Sequence, residues 1–143
     1  MQRKIRTVLK DKGHNVYSIS PIDTVFKAID LMAEKGIGSL VVLEDGKIVG
    51  LITERNYTRE VILKGRSSVR TFVKDIMDAP VVCASPDHRL NECMALMMEK
   101  GVKHLPIVED NRLVGLVSIG DLVRAVVKDQ EFVISQLEHY IHG

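Results

Sequence analysis

Tryptophan is absent from these 143 residues, and all aromatics together make up only 4% of them. No core or interface here can be built on large rings. With 45% apolar residues, the interior must be made of Val, Ile, Leu and Met. Cysteine is nearly absent as well. Cys83 and Cys93 are too few, and too ordinary in spacing, for a disulfide framework or a Cys-rich zinc site. Neither charge sign dominates: 20 Lys and Arg face 19 Asp and Glu, for a net charge of +1. That balance supplies no electrostatic drive for non-specific nucleic-acid binding. No apolar run reaches the roughly 20 residues a bilayer requires. The start, Met1-Gln2-Arg3-Lys4, leads into mixed polar sequence and not into the apolar stretch of a signal peptide. These absences together point to a reducing, cytoplasmic setting with no membrane partner. A chain of this length is one domain, or two very small halves sharing a core.

What is present has a clear order. Ile5, Val8 and Leu9 have helical spacing within residues 3–12, and Asn15 to Ile19 reads as a short strand. Ser20-Pro21 is predicted to open a helix, with Ser as N-cap and Pro at the first helical position. Val25, Ile29 and Met32 mark the buried face of that helix, and Gly36 and Gly38 break it. Ser39 to Leu43 is a β-branched strand, Asp45-Gly46 a hairpin turn, and Lys47 to Ile52 the return strand. Thr53 then caps a helix running to about Lys64. Gly65 to Ser68 has linker composition, Phe72 to Met77 suits a short helical turn, and Val81 to Ala84 a strand.

From Ser85 onward the first half is replayed. Pro21 and Pro86, Gly36 and Gly101, Leu40 and Leu105, Asp45 and Asp110, Gly50 and Gly115 all lie 65 positions apart, without a gap. A constant offset held through a helix, a hairpin and a second helix start marks an internal repeat. Each copy, strand–helix–strand–strand–helix, is too small to cover its own sheet, so the two copies should bury their sheets against each other. This predicts an α/β (α+β) chain of two tandem β-α-β-β-α repeats with pseudo-two-fold symmetry, plus an N-terminal helix and a C-terminal helical tail. Residues 1–65 hold the first segment and repeat, 66–127 the linker and second repeat, and 128–143 an amphipathic helix carrying Phe132, Val133, Leu137, Tyr140 and Ile141.

In each copy a strand runs directly into a helix: Gly50-Leu51-Ile52-Thr53 followed by Asn56, and Gly115-Leu116-Val117-Ser118 followed by Asp121. Free backbone N–H groups and side-chain oxygens converge at such a junction, a geometry able to hold ribose and phosphate. The same Ser-x-x-Asp spacing is also a plain capping pair, and the two roles are compatible.

These motifs, in order and twice over from about Tyr17 to Val127, resemble a pair of cystathionine β-synthase (CBS) domains, the arrangement called a Bateman module. Ser20-Pro21, Ser85-Pro86 and His104-Leu105-Pro106-Ile107-Val108 carry the resemblance together with the two strand–helix junctions. Thr53 to Tyr57 and Gln136 to Ile141 look like a small stand-alone bacterial subgroup with no attached enzyme domain. The resemblance implies a non-enzymatic regulatory module binding AMP, ADP, ATP or an NAD-type molecule in two clefts between the copies, with no required cofactor. It also implies a homodimer, packed through the helices around Tyr57–Leu63 and Leu122–Val127, and leaves room for a protein partner. Asp121 matches the acid that holds ribose hydroxyls, and Ser118, beside Ile119, and Thr53 match the hydroxyl residue supporting ribose or phosphate. Val102 and Lys103 match the strand entry whose backbone reads the adenine edge, and Lys103 and His104 match positions that reach a phosphate. The first copy has Ile37, Gly38 and Ser39 there, without positive charge, and Asn56 where an acid is usual. The Asp121 site is therefore expected to bind first and the Asn56 site weakly.

Other readings of single residues are plainer. Arg55, Arg59 and Arg124 follow the junctions and suit a solvated helix face. His139 and His142, three apart, lack a third ligand at metal spacing. Met94, Met97 and Met98 suit core filling, and Cys83 and Cys93 small buried positions. Ser118, His104 and Asp121 have triad chemistry but no nucleophile elbow or oxyanion loop, so no catalytic residue is assigned. The alternative to a nucleotide sensor is an interaction module with one or both clefts degenerate.

Overall fold

In the computed structural model, which describes residues 3–142, each half folds into one helix–hairpin–helix unit, led in by a short strand in the first half and by a single bridge at Ala84 in the second. Met1, Gln2, Gly143 and the side chain of His142, all drawn on in reading the termini, lie outside the described residues. Helix α1 (Ile5–Lys12) leads into the first unit: β1 (Ser18–Ile19), α2 (Val25–Lys35), β2 (Ser39–Glu44), β3 (Lys47–Thr53) and α3 (Glu54–Tyr57). Helix α3 continues through Thr58–Ile62 in a wider coil, where Leu63 N–H reaches Thr58 O at 3.0 Å. After a 3₁₀ turn at Val73–Asp75 come α4 (Leu90–Lys100), β4 (His104–Glu109), β5 (Arg112–Ser118) and α5 (Ile119–His142).

In the first sheet the order is β1-β2-β3, with β1 parallel to β2 and β2 antiparallel to β3. The second is the hairpin β4-β5. Asp45 and Gly46 turn the first hairpin at φ 52° and 77°, Asp110 and Asn111 the second at 52° and 62°, the positive pair a tight primed turn requires. Both hairpins shift register at matching places, between Val42 and Leu43 and between Ile107 and Val108.

Three local expectations are corrected. The strand drawn over Asn15–Ile19 is only Ser18–Ile19, and that over Val81–Ala84 shrinks to one parallel bridge from Ala84 to Ile107. Ser20-Pro21 and Ser85-Pro86 do not open helices. The caps are Thr24, whose hydroxyl accepts from Lys27 N–H at 3.2 Å, and Arg89, whose N–H donates to Glu92 at 2.9 Å. The Ser-Pro segments are instead turns whose outward carbonyls receive another part of the chain. Pro21 O and Asp23 O accept from Lys74 and Val73, and Pro86 O and His88 O accept from Arg6 and Ile5.

Those bonds describe a reciprocal exchange. The segment entering the first unit, α1, docks on the second unit, and the segment entering the second, Thr71 to Met77, docks on the first. Leu9 lies over Gly115 and Met77 over Gly50, so a Cβ at either glycine would meet a side-chain atom at 2.5 or 2.3 Å. Each glycine of the repeated strand motif is thus a seat for the other unit's lead-in segment. Arg6 ties α1 down through Glu109 and Asp87.

There are consequently two apolar cores and not one shared one. Val25, Met32, Leu40, Val42, Ile52 and Val61 form one, completed by Val73 and Ile76. Leu90, Cys93, Met97, Leu105, Ile107, Val117 and Leu122 form the other, completed by Ile5, Val8 and Leu9. Among the described residues no aromatic side chain is fully buried. Alternate residues of the strands point the other way. There Val41 and Leu51 are buried outside both cores, where the two sheets meet along β3 and β5.

Several side chains differ from their expected environment. Val61 and Leu122, assigned to a subunit surface, are buried, because the same helices must close their own cores; Ile62 and Val123 remain exposed. Met98 and Cys83 are exposed, one on the outer face of α4 and one on the irregular segment before Ala84. Cys93 is buried, and that burial, with Glu92 nearby, pushes its thiol up to about 11. Helix α5 runs unbroken from the second unit into the tail, and every residue from 130 to 141 is exposed. Among the described residues no helix is long and apolar enough to cross a membrane.

Candidate functional site

Two clefts open where the units face each other, one at each strand–helix junction, and they are not equal. The larger has a volume of about 370 Å³ and the smaller about 100 Å³. Ligand pockets for small molecules run from roughly 300 Å³ upward.

At the larger cleft β5 delivers Ser118 and Asp121 to the first turn of α5. Ser118 N–H donates to Asp121 Oδ2 at 2.8 Å, and Asp121 N–H donates to Ser118 Oγ at 3.1 Å. This is a reciprocal capping box, so the capping reading is correct in geometry. The carboxylate has two cationic neighbours besides. Lys12 of α1 donates to Oδ2, and Arg124, one turn along α5, donates to Oδ1 at 2.6 Å. Burial alone would raise the Asp121 pKa, but the hydrogen bonds from Lys12, Ser118 N–H and Arg124 outweigh it and hold the acid below its usual value. Asp121 is therefore ionised at neutral pH, with two cations at hand for a phosphate. The facing wall comes from the first unit: Val16, Tyr17 and Gly36 to Ser39.

At the smaller cleft Thr53 and Asn56 form the matching box. Thr53 N–H donates to Asn56 Oδ1 at 2.8 Å, and Asn56 N–H donates to Thr53 Oγ1 at 3.2 Å. The Asn56 amide donates outward to Asp78 Oδ1 at 3.2 Å. The acid missing from position 56 is thus supplied by the lead-in segment of the second unit. Gly101, Val102, Lys103 and His104 form the opposite wall.

The sequence reading associated Lys103 with Asp121 while allowing Lys103 and His104 to serve either cleft, and matched Ile37–Ser39 to the copy of Asn56. In the structure the strand entries line the cleft of the other unit's junction. Ile37 and Ser39 line the cleft of Asp121 and Ser118, while Val102 and Lys103 line the cleft of Thr53. Neighbouring strands of one sheet already join through backbone bonds, Ile119 N–H to Lys103 O at 2.9 Å and Glu54 N–H to Gly38 O at 3.1 Å. The open side of each strand entry therefore faces the other unit. Ile119 packs against the second core, and Asn56 reaches the small cleft through Asp78. His104 lines both clefts. Burial chiefly, then Lys12, lowers its pKa, so it stands neutral at pH 7. Lys12 and Asp78 went unnoticed in the sequence. Each lies outside the repeated motifs, and Lys12 is 109 positions from its carboxylate.

The model of the CBS domain matches this chain twice, over residues 5–62 and 73–128. The mitochondrial CBS domain-containing protein CBSX3 of Arabidopsis thaliana is 36% identical over 97% of this chain and 72% of its own length. The solved structure of a candidate signal-transduction protein with CBS domains from Burkholderia ambifaria superposes with a TM-score of 0.85. It is 46% identical, and the match covers 90% of this chain and 96% of that one. The inosine-5'-monophosphate dehydrogenase of Methanocaldococcus jannaschii is 38% identical over 82% of this chain, but over only 22% of that enzyme.

Proposed function

Because this chain belongs to the CBS-domain family and carries the domain as a tandem pair, we propose that it is a non-catalytic regulatory module that binds an adenine nucleotide in the Asp121 cleft. CBS pairs are generally regulatory, and the one enzyme among the relatives above matches over a minor part of its length. The observation that carries the reading is the convergence, in a cleft of about 370 Å³, of an ionised carboxylate, a helix start and two cations. Asp121 would accept from the ribose diol, while Lys12 and Arg124 would turn to phosphate. Charge-assisted bonds of that kind contribute roughly 1.5–3 kcal/mol each. The Asn56 cleft has about 100 Å³, and its amide is already committed to Asp78. It is expected to bind about tenfold more weakly or to take a different ligand. Titration calorimetry with AMP, ADP, ATP and NAD tests this. Asp121→Ala should abolish the tighter binding and Asn56→Ala should preserve it. The reverse pattern would exchange the roles of the clefts.

The tail favours a second role, self-association. Val127, Ile134 and Ile141 recur every seven residues on α5, with Val123, Gln130 and Leu137 between them. All five apolar members are exposed. β-branched residues at one heptad position with leucine at the other suit a two-stranded seam. A homodimer through α5 would cover it, and occupancy of the cleft at the start of α5 would then be communicated along the same helix.

A further inference from the structure

Behind the Asp121 cleft lies a second cavity, a groove of about 300 Å³ between α1 and α5. It shares three wall residues with the cleft: Lys12, Asp121 and Arg124. Beyond them its walls carry Arg3, Asp11 and Lys128. Asp121, Arg124 and Lys128 stand at i, i+3 and i+7 on one face of α5, so Lys128 lies about 10 Å along the helix from Asp121. On the facing helix, Val8, Asp11 and Lys12 are spaced to share one side in the same way.

The nucleotide reading of the cleft does not account for this groove. We propose that the ligand of the Asp121 cleft is a nucleoside di- or triphosphate, its phosphate chain running out of the cleft along the groove between α1 and α5 past Lys12 and Arg124 toward Arg3 and Lys128. The proposal rests on the assignment of the Asp121 cleft as a nucleotide site and specifies what that site prefers.

Charge supports a phosphate chain. Among the described residues four cations and two carboxylates line the groove, an excess of positive charge in a protein whose net charge is only +1. Each cation now rests on a carboxylate. Lys12 and Arg124 hold Asp121, Arg3 holds Asp11 at 2.8 Å and Asp129, just outside the groove, at 3.1 Å, and Lys128 reaches Asp11 at 3.5 Å. Lys128 and its partner Asp11 are 69% and 50% exposed, and an ion pair this open to water is weak, so a multiply charged phosphate can replace it at little cost. Size supports it too. A ribose held at Asp121 carries a single phosphate no farther than Lys12 and Arg124, whereas two or three phosphates extend toward Lys128. Among the described residues the apolar wall residues are Val8 and Ala125, and none of the lining side chains is a ring on which a second base could stack. The groove therefore fits phosphates and not the second nucleoside of a dinucleotide.

The test is calorimetric titration of the full chain with AMP, ADP, ATP and NAD, without divalent cation and at fixed salt, repeated on Lys128→Gln. Affinity should rise from AMP through ADP to ATP, by roughly tenfold in all, with NAD weaker than ATP. Salt should weaken ATP binding more steeply than AMP binding. In Lys128→Gln the ratio of ATP to AMP affinity should fall about threefold, and in Lys128→Glu further. Equal affinities for AMP and ATP, NAD binding tighter than ATP, or an unchanged ratio in both variants would overturn the proposal. If none of the four binds the unaltered protein, the assignment of the cleft itself fails, and this preference falls with it.

Discussion

His104 is the one predicted site residue that lines both clefts, and its titration is a handle on their junction. Its pKa is lowered chiefly by burial, with Lys12 and Lys103 adding to the effect and Asp121 and Glu54 opposing it. The folded state thus prefers the neutral ring. Below about pH 6.5 the unfolded chain takes up a proton that the folded chain resists, so stability falls as pH drops from there toward the lowered folded value. Asp121 acts in a different window. Its depressed pKa contributes stability above about pH 3.9 that is lost only on further acidification. Urea midpoints from pH 7.5 to 5 should decline for the natural protein and decline less for His104→Gln. Parallel curves would show that His104 carries no linkage.

Helix α1 and the segment from Thr71 to Met77 occupy equivalent places, yet the glycines beneath them are not equally replaceable. A Cβ at Gly115 would press on Leu9, which is 1% exposed and enclosed by the second core. A Cβ at Gly50 would press on Met77, an unbranched side chain only partly buried against the first core, and would stand 3.2 Å from Asp78 O. Overpacking of a closed site costs about 1–3 kcal/mol, and methionine adapts where leucine does not. Gly115→Ala should therefore destabilise by about 2 kcal/mol or more, and Gly50→Ala by less, about 1–2 kcal/mol, with Asp78 O setting the lower limit. Thermal unfolding measured side by side reads the ranking. Equal losses would mean that Leu9 relaxes as freely as Met77.

At the level of the whole chain, the last twelve residues before His142 have no covering surface in the protomer. A helical extension of that length with no packed face gains little stability in water, and the proposed homodimer would cover it. Light scattering at micromolar concentration is expected to give twice the 16.0 kDa chain mass. Truncation after Lys128 should shift the protein toward monomer and remove helical ellipticity in proportion to the residues lost. A full-length monomer with the same helicity would mean that α5 stands without a partner.

The fold was legible because its signals are local and occur twice. The Asp-Gly turn, the glycine-terminated helices and the strand-to-helix junctions each follow from short-range backbone preferences, and the constant offset of 65 multiplied them. The capping boxes at Thr53–Asn56 and Ser118–Asp121 were readable for the same reason. Ser20-Pro21 misled because the local rule that makes Ser-Pro a helix start also makes it a turn, and only the arriving Lys74 and Val73 amides select between them. The cleft walls were beyond local reading altogether. Which strand entry faces which helix depends on a pseudo-two-fold packing of two sheets, and Lys12 and Asp78 enter through lead-in segments that cross to the opposite unit. Short-range preferences determine the elements; long-range burial of Leu9 over Gly115 and Met77 over Gly50 determines which charges meet.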